Sequence, residues 1–124
     1  MQNNTFIYDQ RLDAAFLDSI YENDKEYAAF GFEQFLKSYP DQFNELEHSF
    51  KTGDVNNFRQ KIHKLKPTFS FVGLTDLTAK AEIIEKNCHG IVEITVLDDL
   101  YLDFKNKLFE LIPVVKEECS RLNA

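Results

Sequence analysis

The chain has 124 residues, of which 44% are hydrophobic and 28% charged, and its formal net charge is -7. This length fits a single domain spanning residues 1–124, and the negative charge disfavours nucleic acid and anionic membranes as partners. The sequence has no apolar run long enough for a membrane span, and residues 1–4 lack the basic and apolar regions of a signal peptide. We therefore expect a cytoplasmic, monomeric, stand-alone protein with Cys88 and Cys119 as reduced thiols.

Apolar residues repeat every three or four positions along most of the chain, which predicts five helices. Short polar side chains and glycines divide these repeats, because such side chains cap helix starts and glycine ends helices. Pro40 falls where a continuation of the second helix begins, and Pro113 is expected to bend the last helix. The predicted N-caps are Asp9, Asp24, Asp54, Thr75 and Thr95.

The third predicted helix has the clearest amphipathic pattern, while the second carries a stripe that includes Tyr27 and Phe35. Residues 91–94 contain β-branched side chains and form the stretch most suited to an extended conformation. Long amphipathic segments joined by short breaks pack as a bundle. We predict an all-α, antiparallel up-and-down four-helix bundle with a short extra N-terminal helix. The apolar stripe of the third helix is Val55, Phe58, Ile62, Leu65, Phe69 and Val72.

Basic residues are concentrated between Lys51 and Lys80, where six basic and two acidic side chains give a local charge of +4. The rest of the chain therefore carries a charge of -11. A basic island on an acidic molecule suggests one place where a negatively charged group is bound.

His63 lies within this island, on the third predicted helix but about 130° from the centre of its apolar stripe. It should therefore face outward, with Arg59 four residues before it and Lys66 three residues after it. Neighbouring cations favour an uncharged imidazole, whose ring nitrogen lone pair is nucleophilic. They would also stabilise a phosphoryl group on that nitrogen. The alternative is an ordinary surface histidine on a solvated basic helix face.

Several residues after His63 lie near the same outward side, and some of them are apolar. Apolar side chains beside an exposed histidine are typical of a docking surface. For Phe71 and Leu74 the alternative is burial under the end of a neighbouring helix. The candidate docking residues are Lys64, Pro67, Ser70, Phe71 and Leu74.

Residues 63–66 read His-Lys-Leu-Lys and are followed by Gly73 and then by Leu77. This arrangement resembles the signature of the histidine-containing phosphotransfer (HPt) domain family, a His-x-Leu-Lys core with a later glycine and a leucine four residues on. Residues 81–88 resemble the family's Leu-Glu-x-x-Cys tendency at the corresponding point. With the helix order, the resemblance covers nearly the whole chain.

The resemblance implies that His63 is phosphorylated at Nε2 by the aspartyl phosphate of one receiver domain and passes the phosphoryl group to the aspartate of another. Lys66 matches the family lysine beside the phosphoryl group. Gly73 matches the glycine that allows a helix or partner to approach closely, so it joins the candidate docking residues. Arg59 is a further candidate for stabilising the phosphoryl group, on helical spacing only and not on the family motif. The implied partners are receiver domains of a hybrid histidine kinase or a response regulator.

The resemblance also implies a carrier rather than an enzyme. The receiver partner is expected to supply Mg²⁺, and this chain is expected to bind no cofactor or metal of its own. Phosphoryl transfer asks the protein mainly for positioning and charge stabilisation, which a helix-borne histidine and lysine can provide.

Pro67 departs from the family pattern, which commonly has glycine at this position. Proline has no N–H to donate to the carbonyl of His63, and its ring crowds that carbonyl. We therefore expect a bend or local widening of the third helix, with Lys66 displaced from helical backbone angles. Pro67 and Phe71 would then form a rigid apolar ridge where a receiver docks.

Other functions have weaker support in the sequence. Residues 45–48 contain one Glu-x-x-His pair, whereas a di-iron bundle needs a second pair and two more inward carboxylates. The four glycines are far apart, so the chain has no phosphate-binding loop of an ATP-dependent kinase. A hydrolase needs a carboxylate to orient His63, and the sequence neighbours of His63 are basic. His89 is expected to be a helix-terminal residue.

The main alternative to a phosphorelay carrier is a helical bundle that binds partners without being phosphorylated.

Overall fold

The computed structural model describes residues 5–124, and every regular element in that range is helical. Residues 1–4, on which the signal-peptide argument depends, lie outside the described residues. The elements are α1 (Ala14–Tyr21), α2 (Lys25–Lys51), α3 (Val55–Leu65), a 3-10 segment (Lys66–Val72), α4 (Thr75–Asn87), a 3-10 turn (Ile94–Leu97) and α5 (Asp98–Leu122).

Two helix starts follow directly from aspartate capping. The carboxylate of Asp24 accepts a hydrogen bond from the backbone N–H of Tyr27 at 3.0 Å, and the carboxylate of Asp54 accepts one from Asn57 at 3.0 Å. Pro40 lies inside a continuous α2, as its placement in a continuation of that helix predicts. The predicted caps of α2 and α3 are therefore confirmed.

The other three predicted caps are wrong. Asp13 caps α1, because the carboxylate of Asp9 is instead bound by the guanidinium and backbone N–H of Arg11. Leu74 occupies the cap position of α4 and Thr75 is the first residue of that helix, with its hydroxyl donating to Asp13 at 2.9 Å. Thr95 lies inside the 3-10 turn that precedes α5.

The core is formed where α2 and α4 each pack against both α3 and α5. Large apolar side chains from these helices fill it, and short connections join successive helices, as in an up-and-down bundle. Residues 91–94 form no strand, and none occurs elsewhere in residues 5–124. The predicted all-α bundle with a short N-terminal helix is confirmed. Its most deeply buried large side chains include Phe32, Phe58, Phe69, Tyr101 and Phe104.

Pro67 changes the helix type after His63. The α-helical bonding of α3 ends at Leu65, and the 3-10 segment begins at Lys66 with Pro67 in its first turn. A proline in a first turn leaves no helical bond unmade, and 3-10 bonding is tighter than α-helical bonding. The predicted local widening is therefore wrong, and the predicted bend stays a prediction. Lys66 also keeps right-handed helical angles, with φ -48° and ψ -51°.

Residues 5–21 form a layer over one end of the bundle, which we call the N-terminal cover. The backbone N–H of Asp13 donates to the carbonyl of Gly73 at 2.8 Å. Gly73 has a φ of +72°, and a Cβ atom there would lie 2.7 Å from Cδ1 of Leu17. Only glycine meets both the backbone angle and the close approach. The N-terminal cover therefore fixes the end of the 3-10 segment.

Candidate functional site

His63 lies near the end of α3 with its ring in solvent. The side chain is 66% exposed, whereas Phe58, Ile62 and Leu65 of the same helix are buried. The buried residues keep the helix face fixed against the core, so the helical spacing directs the imidazole outward.

Glu85 on α4 binds the ring of His63. Its Oε2 lies 2.7 Å from Nδ1, and its side chain is only 17% exposed. A carboxylate accepts hydrogen bonds, so Nδ1 is the atom that carries the hydrogen and donates it. In a neutral ring this tautomer leaves the lone pair on Nε2. The contact therefore both orients the ring and defines which nitrogen is nucleophilic.

The charge state of Glu85 follows from its partners. Burial by itself raises the pKa of Glu85, but hydrogen bonds from Lys66 and His63 outweigh this effect and hold the pKa below its ordinary value. Glu85 is therefore a carboxylate at neutral pH and an acceptor for His63.

Lys66 lies between two carboxylates. Its Nζ is 2.6 Å from Oε2 of Glu82 and 2.9 Å from Oε1 of Glu85. The hydrogen bond to Glu82, and to a smaller extent that to Glu85, raises the pKa of Lys66 above its ordinary value. The bond between Lys66 and Glu82 also lowers the pKa of Glu82. The expectation of a ring flanked by two cations is wrong, because the nearest charge to the ring is the anionic Glu85. Helical spacing describes only the neighbours along α3, whereas Glu85 approaches the ring from α4.

Arg59 is directed toward the start of α3. Its Nη2 donates to Oδ1 of Asn56 at 3.0 Å, one turn before it. His63 lies one turn in the other direction, so the structure does not bring Arg59 and Lys66 together beyond the ring.

The candidate docking residues divide into two groups. Lys64, Pro67 and Phe71 are exposed, and the side chain of Ser70 lies half-buried with its hydroxyl 3.5 Å from that of Thr78. Gly73 and Leu74 are buried, so their assignment to a docking surface is wrong. The N-terminal cover lies over Gly73, and Leu74, 1% exposed, packs into the core.

Exposed aromatic side chains on α2 lie beside Phe71. Tyr27 is 54% exposed and Phe30 is 57% exposed, so placing Tyr27 on the buried stripe was wrong. With Phe71 and Tyr21 they line a cleft of about 350 Å³, which we call the aromatic cleft. The hydroxyl of Tyr21 donates to the carbonyl of Phe71 at 2.7 Å and so ties the 3-10 segment to α1.

Sequence reasoning missed Glu82, Glu85 and Phe30. The two glutamates lie one helical turn apart on α4, away from its buried face of Leu77, Ala81 and Ile84. Their spacing indicates a shared acidic face, but only the packing of α4 on α3 brings that face to His63.

The remaining candidates show no comparable assembly. His48 and His89 are exposed, Cys88 is a buried free thiol and Cys119 a half-buried one. Within residues 5–124, no group of three histidine, cysteine or acidic side chains is placed to hold a metal ion. No helix in that range is long and apolar enough to cross a bilayer.

Comparison with known proteins identifies the family. A family model described as Hpt domain matches residues 32–123, about three quarters of the chain. No curated protein and no solved structure matches the chain. The matched range contains His63, Lys66 and the two α4 carboxylates, so the resemblance seen in residues 63–66 is confirmed. The chain belongs to the Hpt domain family, whose members are phosphotransfer carriers of two-component signalling.

Proposed function

We propose that this chain is a phosphorelay carrier. His63 accepts a phosphoryl group on Nε2 from the aspartyl phosphate of one receiver domain, in a hybrid histidine kinase, and passes it to the aspartate of another, in a response regulator. The observation that carries the proposal is the exposed ring whose Nδ1 is held by Glu85 at 2.7 Å. Family membership supports the same role.

The transfer needs no proton from solvent. The Nε2 lone pair attacks phosphorus, the N–P bond forms, and the O–P bond to the receiver aspartate breaks. The bonding electrons leave with the aspartate as a carboxylate. The ring keeps its Nδ1 hydrogen and becomes positively charged, and Glu85 stabilises that charge through its hydrogen bond. The reverse sequence returns the phosphoryl group to a receiver.

Recognition is proposed to rest on the apolar surface beside the histidine. Pro67 and Phe71 form its ridge, and Tyr27 and Phe30 extend it across to α2. Exposed aromatic side chains supply large contact area at low entropic cost, and Lys64 adds a positive charge toward an acidic receiver site. Mg²⁺ belongs to the receiver in this scheme, and the chain acts as a cytoplasmic monomer, a single domain and not an enzyme.

The proposal is tested with a receiver domain phosphorylated with radioactive phosphate. Wild-type protein should take up label that is acid-labile and base-stable, and His63→Gln should take up none while keeping its helix content by circular dichroism. The matched controls are His48→Gln and His89→Gln, which replace the other two histidines, both exposed, and should label as wild type does. Label that persists in His63→Gln would disprove the assignment.

A second candidate is a partner-binding bundle that is not phosphorylated. The observation that favours it is the exposed aromatic cluster of Tyr27, Phe30 and Phe71, which supports docking without any chemistry. The same experiment separates the two, because this candidate gives receiver binding with no label on the wild-type chain.

A further inference from the structure

Glu82 and Glu85 share Lys66 but differ in their surroundings. Glu85 holds the ring of His63 with one oxygen and Lys66 with the other, at 2.7 and 2.9 Å. Glu82 binds Lys66 at 2.6 Å and lies 3.8 Å from Lys86. Its side chain is 45% exposed, against 17% for Glu85. Glu85 is thus fixed by two partners at the ring, while Glu82 is bound mainly through one lysine.

The shared carboxylate locates the ammonium group of Lys66 relative to the ring. Because Nδ1 and Nζ bind the two oxygens of Glu85, Nζ lies toward the Nδ1 edge of the imidazole. A phosphoryl group on Nε2 lies beyond the opposite edge. Two of the three Nζ hydrogens of Lys66 are donated to the carboxylates of Glu82 and Glu85, so a phosphoryl group on Nε2 would compete with them for the charge of Lys66.

We propose that Glu82 is an anion that competes with the phosphoryl group for Lys66 and thereby biases the site toward releasing that group. The proposal rests on the function proposed for His63. Lys66 has two arrangements: bound between Glu82 and Glu85 before transfer, and bound to the phosphoryl group afterwards. Breaking the contact with Glu82 opposes acceptance, and re-forming it assists donation to the next receiver.

The assignment to Glu82 rather than Glu85 follows from exposure and bonding. Loss of Glu85 from Lys66 would also disturb the hydrogen bond that orients His63, whereas loss of Glu82 leaves the ring contact intact. The exposed Glu82 carboxylate is readily hydrated when Lys66 leaves it, so the exchange needs no rearrangement of the core. Glu82 forms no bond to phosphorus and transfers no proton, so it acts on the equilibrium between His63 and the receiver aspartate.

The experiment measures that equilibrium directly. One receiver domain, with Mg²⁺, is phosphorylated and mixed with the full chain, and the ratio of labelled chain to labelled receiver is read at equilibrium. Glu82→Gln should raise this ratio about five- to tenfold, in the range of ordinary coupling between charged sites. Glu45→Gln is the matched control, since Glu45 on α2 pairs with Lys61, at 3.4 Å, and not with Lys66, so that it should leave the ratio unchanged.

A double variant separates competition from a general charge effect. In a Lys66→Ala background, Glu82→Gln should change the ratio less than twofold, because the competition acts through Lys66. A ratio within twofold of wild type for Glu82→Gln alone, or an equal rise in the Lys66→Ala background, would overturn the inference and leave the proposed function standing. Absence of label on His63 in the wild-type chain would overturn both. Thermal unfolding of each variant reports whether it is folded.

Discussion

The segment that carries His63 has two very different flanks. Toward α4 it meets a charged set, Lys66 with Glu82 and Glu85, joined by hydrogen bonds of 2.6 and 2.9 Å. Toward α2 it meets the aromatic cleft, in which Phe30 and Phe71 are more than half exposed. The charged flank suits transfer of a phosphoryl group and the aromatic flank suits binding of a partner, so one short stretch of chain separates chemistry from recognition.

The separation has a physical basis in how each kind of group is stabilised. A partly buried charged side chain near the histidine is stable only when an opposite charge pairs with it, and Glu85 on α4 supplies that charge. Exposed aromatic side chains gain free energy only when a partner covers them. A substitution on one flank is therefore expected to leave the role of the other flank unaffected.

The largest expected effect contrasts two phenylalanines of the 3-10 segment. Phe69→Ala should lower the free energy of unfolding by about 3–5 kcal/mol, because Phe69 is fully buried. Phe71→Ala should lower it by less than about 1 kcal/mol, since Phe71 is 52% exposed. Receiver affinity should nevertheless fall about tenfold in Phe71→Ala. Urea denaturation and titration calorimetry measure the two quantities, and a large loss of stability with unchanged affinity would place Phe71 in the core and remove the docking ridge.

The next effect concerns the charged flank. Lys66→Ala should slow phosphoryl transfer at saturating receiver about 10- to 100-fold, because a charge-assisted hydrogen bond to the phosphoryl group is lost. Lys64→Ala is the matched control, an exposed cation two residues away that should alter receiver affinity and its salt dependence but not the saturated rate. Rapid-quench measurement of transfer gives both values. A wild-type rate in Lys66→Ala would exclude Lys66 from the transfer step.

The smallest effect is on stability in acid. The pKa of Glu85 is held below its ordinary value of 4.5 in the folded chain, so the folded state binds fewer protons than the unfolded state near that pH. The resulting stability is present above the ordinary value and is lost as pH falls through the lower folded value. Wild-type protein should therefore lose more stability than Glu85→Gln between about pH 5 and about pH 3. Urea midpoints across that range check the prediction, and equal slopes for the two proteins would contradict it.

The sequence was sufficient where a structural feature depends on residues close together along the chain. Asp24 and Asp54 cap their helices through side chains that reach three residues ahead, and the outward direction of His63 follows from helical spacing. The exposure of Pro67 and Phe71 follows from the same spacing.

The features that depend on packing between distant segments were not predictable in this way. Glu85 contacts His63 although 22 positions separate them in the sequence, and the contact exists only because α4 packs on α3. Burial of Gly73 requires the N-terminal cover, whose residues lie more than 50 positions earlier. Helical periodicity carries no information about which helices become neighbours.

The N-terminal cover also determines where the chain can be cut. The family match begins at Phe32, inside α2, and so excludes α1 and the first turns of α2. A fragment of residues 32–123 would leave Phe32 without the stacked ring of Tyr8 and Gly73 without Leu17. Bare apolar surface of this kind promotes aggregation during expression, so a soluble fragment has to begin before Tyr8.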